Sequence, residues 1–471
     1  LAPWLEGSAP VQVQVEVGQA RVQQGKPLAE VLVQSSLQGM RTHLPEPLNK
    51  SVSSVWPLRV AYTMPDAGGA GDGLLIDVGN PSHTTMTPAA LPWVHGRLQW
   101  VRRSPTIQSS DVRGVFSVIQ PGATSLTRLP GLPERGVEAQ LLLSRLDLDA
   151  WQAAWSAPVR KALPELSMAR VGTPVAQADA AEWLPDNVTV QANQVNWRQR
   201  SLHEVRASLA HPQAKVWRLQ LESTEAAGLM EWLPDPAGPT ETGVSGQKLV
   251  ARLKHLKVPP TEAETLSVEA VQELLQPAAE AQVPALDIAV ESFEWRGLAL
   301  GRFEVEAINR RINDGTGRSW PEWRLTRFRL GGPEAQLNAQ GNWTVPAVRP
   351  GGTQAASTAG RSRSTFSFTL DVVNGGELLT RLGLPRTVRG AKGQLSGHVA
   401  WAGSPLDLDA STMTGEVRVR INQGQFLKVD PGAAKLLSVL SLQSLPRRLV
   451  LDFRDLFQEG FAFDAIDGDV K

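Results

Sequence analysis

No cysteine occurs among the 471 residues, which excludes disulfide staples, thiolate metal ligands and thiol nucleophiles while fitting reducing and oxidising compartments alike. Net charge is missing too. Lys plus Arg and Asp plus Glu number 47 each, so nothing in the balance points to nucleic acid or to a broad attraction toward anionic surfaces. No apolar run approaches the roughly 18 residues needed to cross a bilayer, and no basic, apolar, small-residue series marks a signal peptide. Leu1–Leu5 carries no initiator Met and the last residues stop within a strand-like pattern, so the chain reads as an internal fragment whose anchor or export signal lies upstream.

Catalytic constellations are equally scarce. The histidines His43, His83, His95, His203, His211, His255 and His398 show neither HxH nor HExxH spacing, so no metal site is expected. Gly243–Gly246 and Gly393–Gly397 lack the G-x-S-x-G elbow and read as turns or bends. Gly68–Gly73 has no following Lys-Ser/Thr and no helix, so it reads as a hairpin loop, and Asn313–Gly317 lacks the later carboxylates of a calcium loop. Asp147 and Asp149, like Asp464, Asp467 and Asp469, are read as polar faces of strands. Neither an enzyme nor a cofactor is expected.

What the chain does have is alternation. Val11–Val17 reads Val-Gln-Val-Gln-Val-Glu-Val, which puts four valines on one sheet face. Similar segments recur at Leu58–Tyr62, Leu74–Val78, Val137–Leu143, Phe366–Val372, Leu395–Trp401 and Val417–Ile421, separated by many of the 41 Gly and 34 Pro. Such punctuation suits hairpins and meanders better than βαβ units. Short helical patterns fall at Trp151–Leu163, Glu225–Leu233, Leu266–Leu275, Glu377–Leu382 and Ala433–Leu442, and Pro346–Arg363 reads as a long loop.

A repeat is visible as well. Val188, Val190, Ala192, Val195, Trp197, Leu202 and Val205 return as Leu286, Ile288, Val290, Phe293, Trp295, Leu300 and Phe303. The match continues from Trp217–Leu219 to Trp323–Leu325, lengthened by the loop at Asn313–Gly317. An insertion at a turn is what a repeated hairpin tolerates. A weaker match relates Leu229–Leu233 and Gly246 to Leu378–Leu382 and Gly393. Four segments follow: 1–150, an N-terminal β segment; 151–285, a first β repeat with short helices; 286–376, a second β repeat; and 377–471, a C-terminal segment with an amphipathic helix.

Met413–Val417, Gly424–Leu449 and Leu451–Asp464 resemble the AsmA-like region of YhdP-type bacterial envelope proteins. Gly393–Gly397 with Trp401–Pro405, and Leu44–Lys50 leading to Pro57–Val60, resemble the same family, so the likeness spans nearly the whole chain. It implies a mostly β fold, an elongated, curved antiparallel sheet forming a hydrophobic groove with a few short helices. It further implies a periplasmic body, tethered to the inner membrane through an N-terminal anchor missing here, that moves phospholipid toward the outer membrane. At about 4.8 Å per strand, some 15 to 20 strands would extend such a groove by roughly 70 to 100 Å.

On this reading, phospholipid acyl chains rest on Val188, Val190, Ala192, Leu286, Ile288, Val290, Phe303, Val305, Phe366, Phe368, Leu370, Leu395, Val399, Val417, Val419 and Ile421. Trp197, Trp295 and Trp401 either contact acyl chains or, as such residues more often do, cover strand ends or fill gaps. Asp430 and Pro431 open a helix through Ala434, Leu437, Val439, Leu440 and Leu442 that serves as an end cover, or as a gate with Arg447 and Arg448 meeting lipid phosphate. The competing reading is a structural or interaction scaffold of the envelope whose apolar faces seal against each other in a closed core.

Overall fold

The computed structural model describes residues 4–17, 29–64, 71–79, 93–100, 112–120, 130–154, 185–198, 200–213, 215–235, 244–259, 283–313, 319–344, 362–405, 411–427 and 461–471. The chain is mostly β and divides into two compact units, Leu1–Thr224 and Glu225–Lys471.

In the first unit the strands are β1 (Leu5–Gly7), β2 (Val11–Val17), β3 (Ala29–Ser35), β4 (Met40–Thr42), β5 (Leu58–Met64) and β6 (Asp72–Val78). They continue as β7 (Val94–Trp100), β8 (Val112–Ile119), β9 (Gly136–Asp147), β10 (Asn187–Trp197), β11 (Arg200–Gln213) and β12 (Val216–Glu222). Among the described residues β1 pairs only with β4. The others form one sheet in chain order, β2-β3-β5-β6-β7-β8-β9-β10-β11-β12. Most ladders are antiparallel, but β8–β9 and β9–β10 are parallel. Antiparallel hairpins and meanders dominate as expected, and the parallel steps are additions to them, because a parallel pair cannot be closed by a tight turn and needs a crossover.

The crossover after β9 begins with a helix at 148–154. Asp147, expected on a strand, is the last residue of β9 and also caps the helix, the Ala150 amide donating to Asp147 Oδ1 at 2.9 Å, whereas Asp149, expected on a strand too, lies in the helix. Two indoles fix the helix to the start of the unit, Trp151 Nε1 donating to Glu46 O and Trp4 Nε1 to Ala154 O, both at 3.2 Å. Beside them Lys50 is buried, its ammonium donating to Met40 O at 2.8 Å and Ser51 O at 3.0 Å and lying 6.0 Å from the Trp56 ring. Burial holds its pKa below the usual lysine value.

The second unit runs through β13 (Ala226–Pro234), β14 (Val244–Val258), β15 (Val283–Trp295), β16 (Leu298–Asn313) and β17 (Ser319–Gly331). Then come β18 (Ala335–Thr344), β19 (Arg363–Val372), a short helix (Gly375–Arg381), β20 (Val388–Ala402), β21 (Thr414–Phe426) and β22 (Phe461–Val470). Each strand pairs with the next, antiparallel except for β14–β15. In neither unit does a ladder among the described strands join the first strand of the sheet to the last, so each sheet is open.

The repeat seen in sequence is a repeat in topology. β10 and β15 each follow a parallel step and open an antiparallel hairpin, with β12 and β17 as the next strands. Its turns are two-residue loops: Trp295 pairs with Leu298 across Arg296 (φ 51°) and Gly297 (φ 78°), and Trp197 pairs with Arg200 across a loop that opens on Arg198 (φ 47°). Positive φ at both centres matches the right-handed twist of the flanking strands.

The helix expected at Glu225–Leu233 is strand β13, because Met230 and Trp232 face Ala251 and Leu249 across a ladder and so bury on a sheet rather than on a helix stripe. The helix at Glu377–Leu382 is present as Gly375–Arg381, capped by Asn374, whose side chain accepts from the Glu377 amide. Of the Trp151–Leu163 pattern only residues up to 154 are described. Leu266–Leu275, Ala433–Leu442, Arg447 and Arg448, most of Pro346–Arg363 and much of the C-terminal likeness lie outside the described residues.

Candidate functional site: one apolar sheet face

Directly opposed residues in a ladder share a face, so the registers trace each face across its sheet. In the first unit Val13 and Val15 oppose Val33 and Val31, which oppose Val60 and Tyr62, then Ile76 and Leu74, then Gly96 and Leu98, then Phe116 and Gly114. The row continues through Ala139 and Leu141 on β9, Val188 and Val190 on β10, Leu209 and Ala207 on β11, and Leu219 and Leu221 on β12. The other face mixes Gln14, Arg59, Asp77, His95, Arg97, Gln140, Thr189 and Ser208 with the apolar Leu32, Ala61, Leu75 and Val115. One side is hydrocarbon from edge to edge.

The second unit repeats the arrangement. Leu249, Ala251 and Leu253 oppose Leu286, Ile288 and Val290, which oppose Ala307, Val305 and Phe303. Phe328 and Leu330 follow on β17, Ala339 and Leu337 on β18, Phe368 and Leu370 on β19, Gly397 and Leu395 on β20, Val417 and Val419 on β21. Phe366 and Val399 oppose each other on this face, and Ile421 extends it on β21. Every residue singled out from sequence therefore stands on the apolar face of its unit. Sequence reasoning missed the members on β2, β3, β5 to β9, β11, β12, β14, β17 and β18; alternation was present in many of them, but only the pairing registers join them to the rest.

Opposite lies a charged face stitched by ion pairs. Arg252 meets Asp287 at 2.7 Å, Arg302 meets Glu304 at 2.7 Å, Arg327 meets Glu306 at 3.3 Å, and Arg418 meets Asp469 at 2.8 Å. The hydrogen bond between Lys471 and Glu416 holds the Glu416 carboxyl below its usual pKa and raises that of Lys471. These exposed pairs contribute solubility and register more than stability. They commit this side to water.

Burial varies along the strands of the second unit. Near one end Val283, Ala307, Trp323, Leu325 and Trp343 form a sealed cluster, with Trp401 buried nearby, in keeping with a packing role for that indole. Trp295, by contrast, is half-buried, and Trp197 is about half exposed. Curvature produces the seal. Trp323 Nε1 reaches Pro284 O two strands away at 2.9 Å, and Asn309 Nδ2 reaches Asp235 Oδ2 at 3.0 Å from β16 to the end of β13. Three flat ladder steps would separate those backbones by about 14 Å. Buried Glu322 braces the same end, accepting from Arg310 and from Asn342 Nδ2 at 2.8 Å. Farther along, Phe328, Leu330, Leu337, Phe368, Leu370, Leu395, Val417, Val419 and Ile421 are only half-buried.

No three metal-ligating side chains converge among the described residues. Asp77, His95 and Ser117 share one cross-strand row, with His95 Nδ1 2.7 Å from Asp77 Oδ1, but the Ser117 hydroxyl is buried and makes no hydrogen bond, so no activated nucleophile is assembled. Gly393 and Gly397, read as turn or bend positions with Gly397 already inside the strand pattern Leu395–Trp401, both lie inside β20, where an added Cβ would strike the main chain of β21. No described helix is long and apolar enough to cross a membrane.

The family model described as YhdP protein matches residues 1–471. Among curated proteins, the intermembrane phospholipid transporter YhdP of Escherichia coli (strain K12) is 33% identical over 85 residues. That stretch covers 18% of this chain and 7% of the relative. No solved structure matches.

Proposed function

Because the chain belongs to the YhdP protein family, we propose that its apolar faces bind phospholipid acyl chains and guide them between the inner and outer membranes of a bacterial envelope. The observation that carries this reading is the unbroken apolar row traced by the ladder registers in each unit, half-exposed over much of its extent. Each methylene moved from water onto such a surface gains about 0.8 kcal/mol, so a tail of about 14 methylenes lying half-covered gains about 5 kcal/mol. A uniform floor changes that figure little from strand to strand, which permits sliding. The E. coli relative, named a phospholipid transporter, supports the choice of ligand.

The residues proposed to touch the tails are Val188 and Val190 in the first unit and Leu286, Ile288, Phe303, Phe366, Phe368, Leu370, Leu395, Val399, Val417, Val419 and Ile421 in the second; Ala192, Val290 and Val305, singled out with them, are buried among neighbouring side chains. Segments 1–150, 151–285, 286–376 and 377–471 would act as successive stretches of the conduit. A periplasmic location and a tether to the inner membrane belong to the same proposal, and no catalytic step is assigned to the chain.

The test is site-specific photo-crosslinking in the chain purified without denaturant. A photoreactive residue at Val190, Leu395 or Val419 is expected to capture phospholipid, while one at Gln191, Ser396 or Arg418 on the opposite face is not. Capture of none at the first three, together with lipid-free protein by native mass spectrometry, would overturn the proposal.

A further inference from the structure

Three neighbouring strand pairs exchange bulk in the same way. On β7 and β8, Gly96 opposes Phe116 while Leu98 opposes Gly114. On β18 and β19, Gly341 opposes Phe366 while Trp343 opposes Ser364. On β20 and β21, Gly397 opposes Val417 while Val399 opposes Gly415. Each strand carries a small residue and, two positions later, a large one. In an antiparallel register that spacing places every large side chain beside a small one, and all twelve positions lie on the apolar face.

The contacts show what the exchange does. A Cβ added at Gly96 would stand 3.0 Å from two ring atoms of Phe116, one at Gly114 would run into Leu98 Cδ2, and one at Gly341 would meet the Thr365 carbonyl oxygen first and then Phe366 Cδ1 at 2.5 Å. The bulky groups therefore lie down across the neighbouring glycine instead of rising from the sheet. Phe366 is further held flat by stacking on Trp401, with centroids 5.2 Å apart and planes at 22°. At Gly397 and Gly415 an added Cβ would meet the carbonyl oxygens of Glu416 and His398, so there the main chains themselves close in. Trp343 and Ser364 are buried at the sealed end, but Leu98, Phe116 and Phe366 keep half-exposed surfaces, which a purely interior packing device would not leave.

We infer that these reciprocal small-and-large pairs level the floor of the groove and make Gly96, Phe116, Gly341 and Phe366 specificity-determining positions, favouring linear acyl chains over methyl-branched ones. The inference rests on the lipid-binding reading. A linear chain lies in continuous contact with a level floor, whereas branch methyls hold a tail away from it. Losing floor contact for about two methylenes lowers retention about tenfold.

The experiment uses the full chain and native mass spectrometry with two probes, palmitoyl-oleoyl phosphatidylglycerol and diphytanoyl phosphatidylglycerol, whose tails are methyl-branched. The natural chain is expected to retain the linear lipid about tenfold better. Gly96→Phe should lower linear-lipid retention by a similar factor, and the exchange Gly96→Phe with Phe116→Gly should restore it. Phe366→Ala adds no volume to the fold and should bring the two lipids closer together by lowering retention of the linear one. An unchanged lipid ratio in Phe366→Ala, or failure of the exchanged variant to recover binding while its circular dichroism and urea midpoint match the natural chain, would overturn this inference alone. A natural chain that retains neither lipid would overturn the lipid-binding reading with it.

Discussion

The same substitution placed at two points of one sheet face separates an open groove from a filled core. Leu325 sits in the sealed cluster with Val283, Val305, Ala307, Trp323 and Trp343, whereas Leu370 is half-buried between Leu337 and Leu395. Leu325→Ala removes buried carbons and leaves a cavity that its indole neighbours can fill only partly, so it is expected to cost about 3.5 kcal/mol. Leu370→Ala forfeits roughly half the transfer free energy of a leucine side chain and creates no enclosed void, for about 1 kcal/mol. Equilibrium urea denaturation of the lipid-free chain, followed by circular dichroism, reads both values on one axis. The expected gap is about 2.5 kcal/mol. Lipid retention should show the reverse order, falling for Leu370→Ala and holding for Leu325→Ala. Equal stability costs near 3 to 4 kcal/mol would mean that Leu370 is packed against a second layer, and the open apolar face would have to be abandoned.

Two further substitutions probe the polar framework. Glu322→Ala leaves Arg310 and Asn342 without their shared acceptor and should cost about 3 kcal/mol; adding Arg310→Met should recover part of that loss in a double-mutant cycle. Lys50→Met strands the carbonyls of Met40 and Ser51 and should cost about 1 to 3 kcal/mol. For Lys50 the pH dependence has a definite sign. Its folded pKa lies below the ordinary value of 10.5, so over the interval between the two the unfolded chain binds more protons and stability rises with pH. The difference in unfolding free energy between the natural chain and Lys50→Met should therefore grow as pH approaches 10.5, and a flat difference would count against the buried ammonium.

Alternation by itself determined that this chain builds sheets with one hydrocarbon side. Val11–Val17 and Phe366–Leu370 cannot bury their apolar residues on a helix, because a period of two wraps around a helical surface and matches only a pleat. The repeat relating Val188–Val205 to Leu286–Phe303 was legible for the same reason, since equivalent strands need equivalent faces. Other features depended on partners remote in sequence. Glu225–Leu233 carries a run that suits a helix locally, and it is a strand because β14 supplies the ladder that receives Met230 and Trp232.

The parallel steps at β8–β9, β9–β10 and β14–β15 were likewise hidden, because strand direction is set by where the chain returns and not by the composition of either strand. Register had to come from the fold as well. Gly96 and Phe116, or Gly341 and Phe366, read as unrelated residues until pairing lays one across the other. Only the bending of the second sheet decided which leucines of a uniform apolar stripe are sealed and which stay half-exposed, because burial on a curved sheet depends on how closely strands two and three places apart are drawn together.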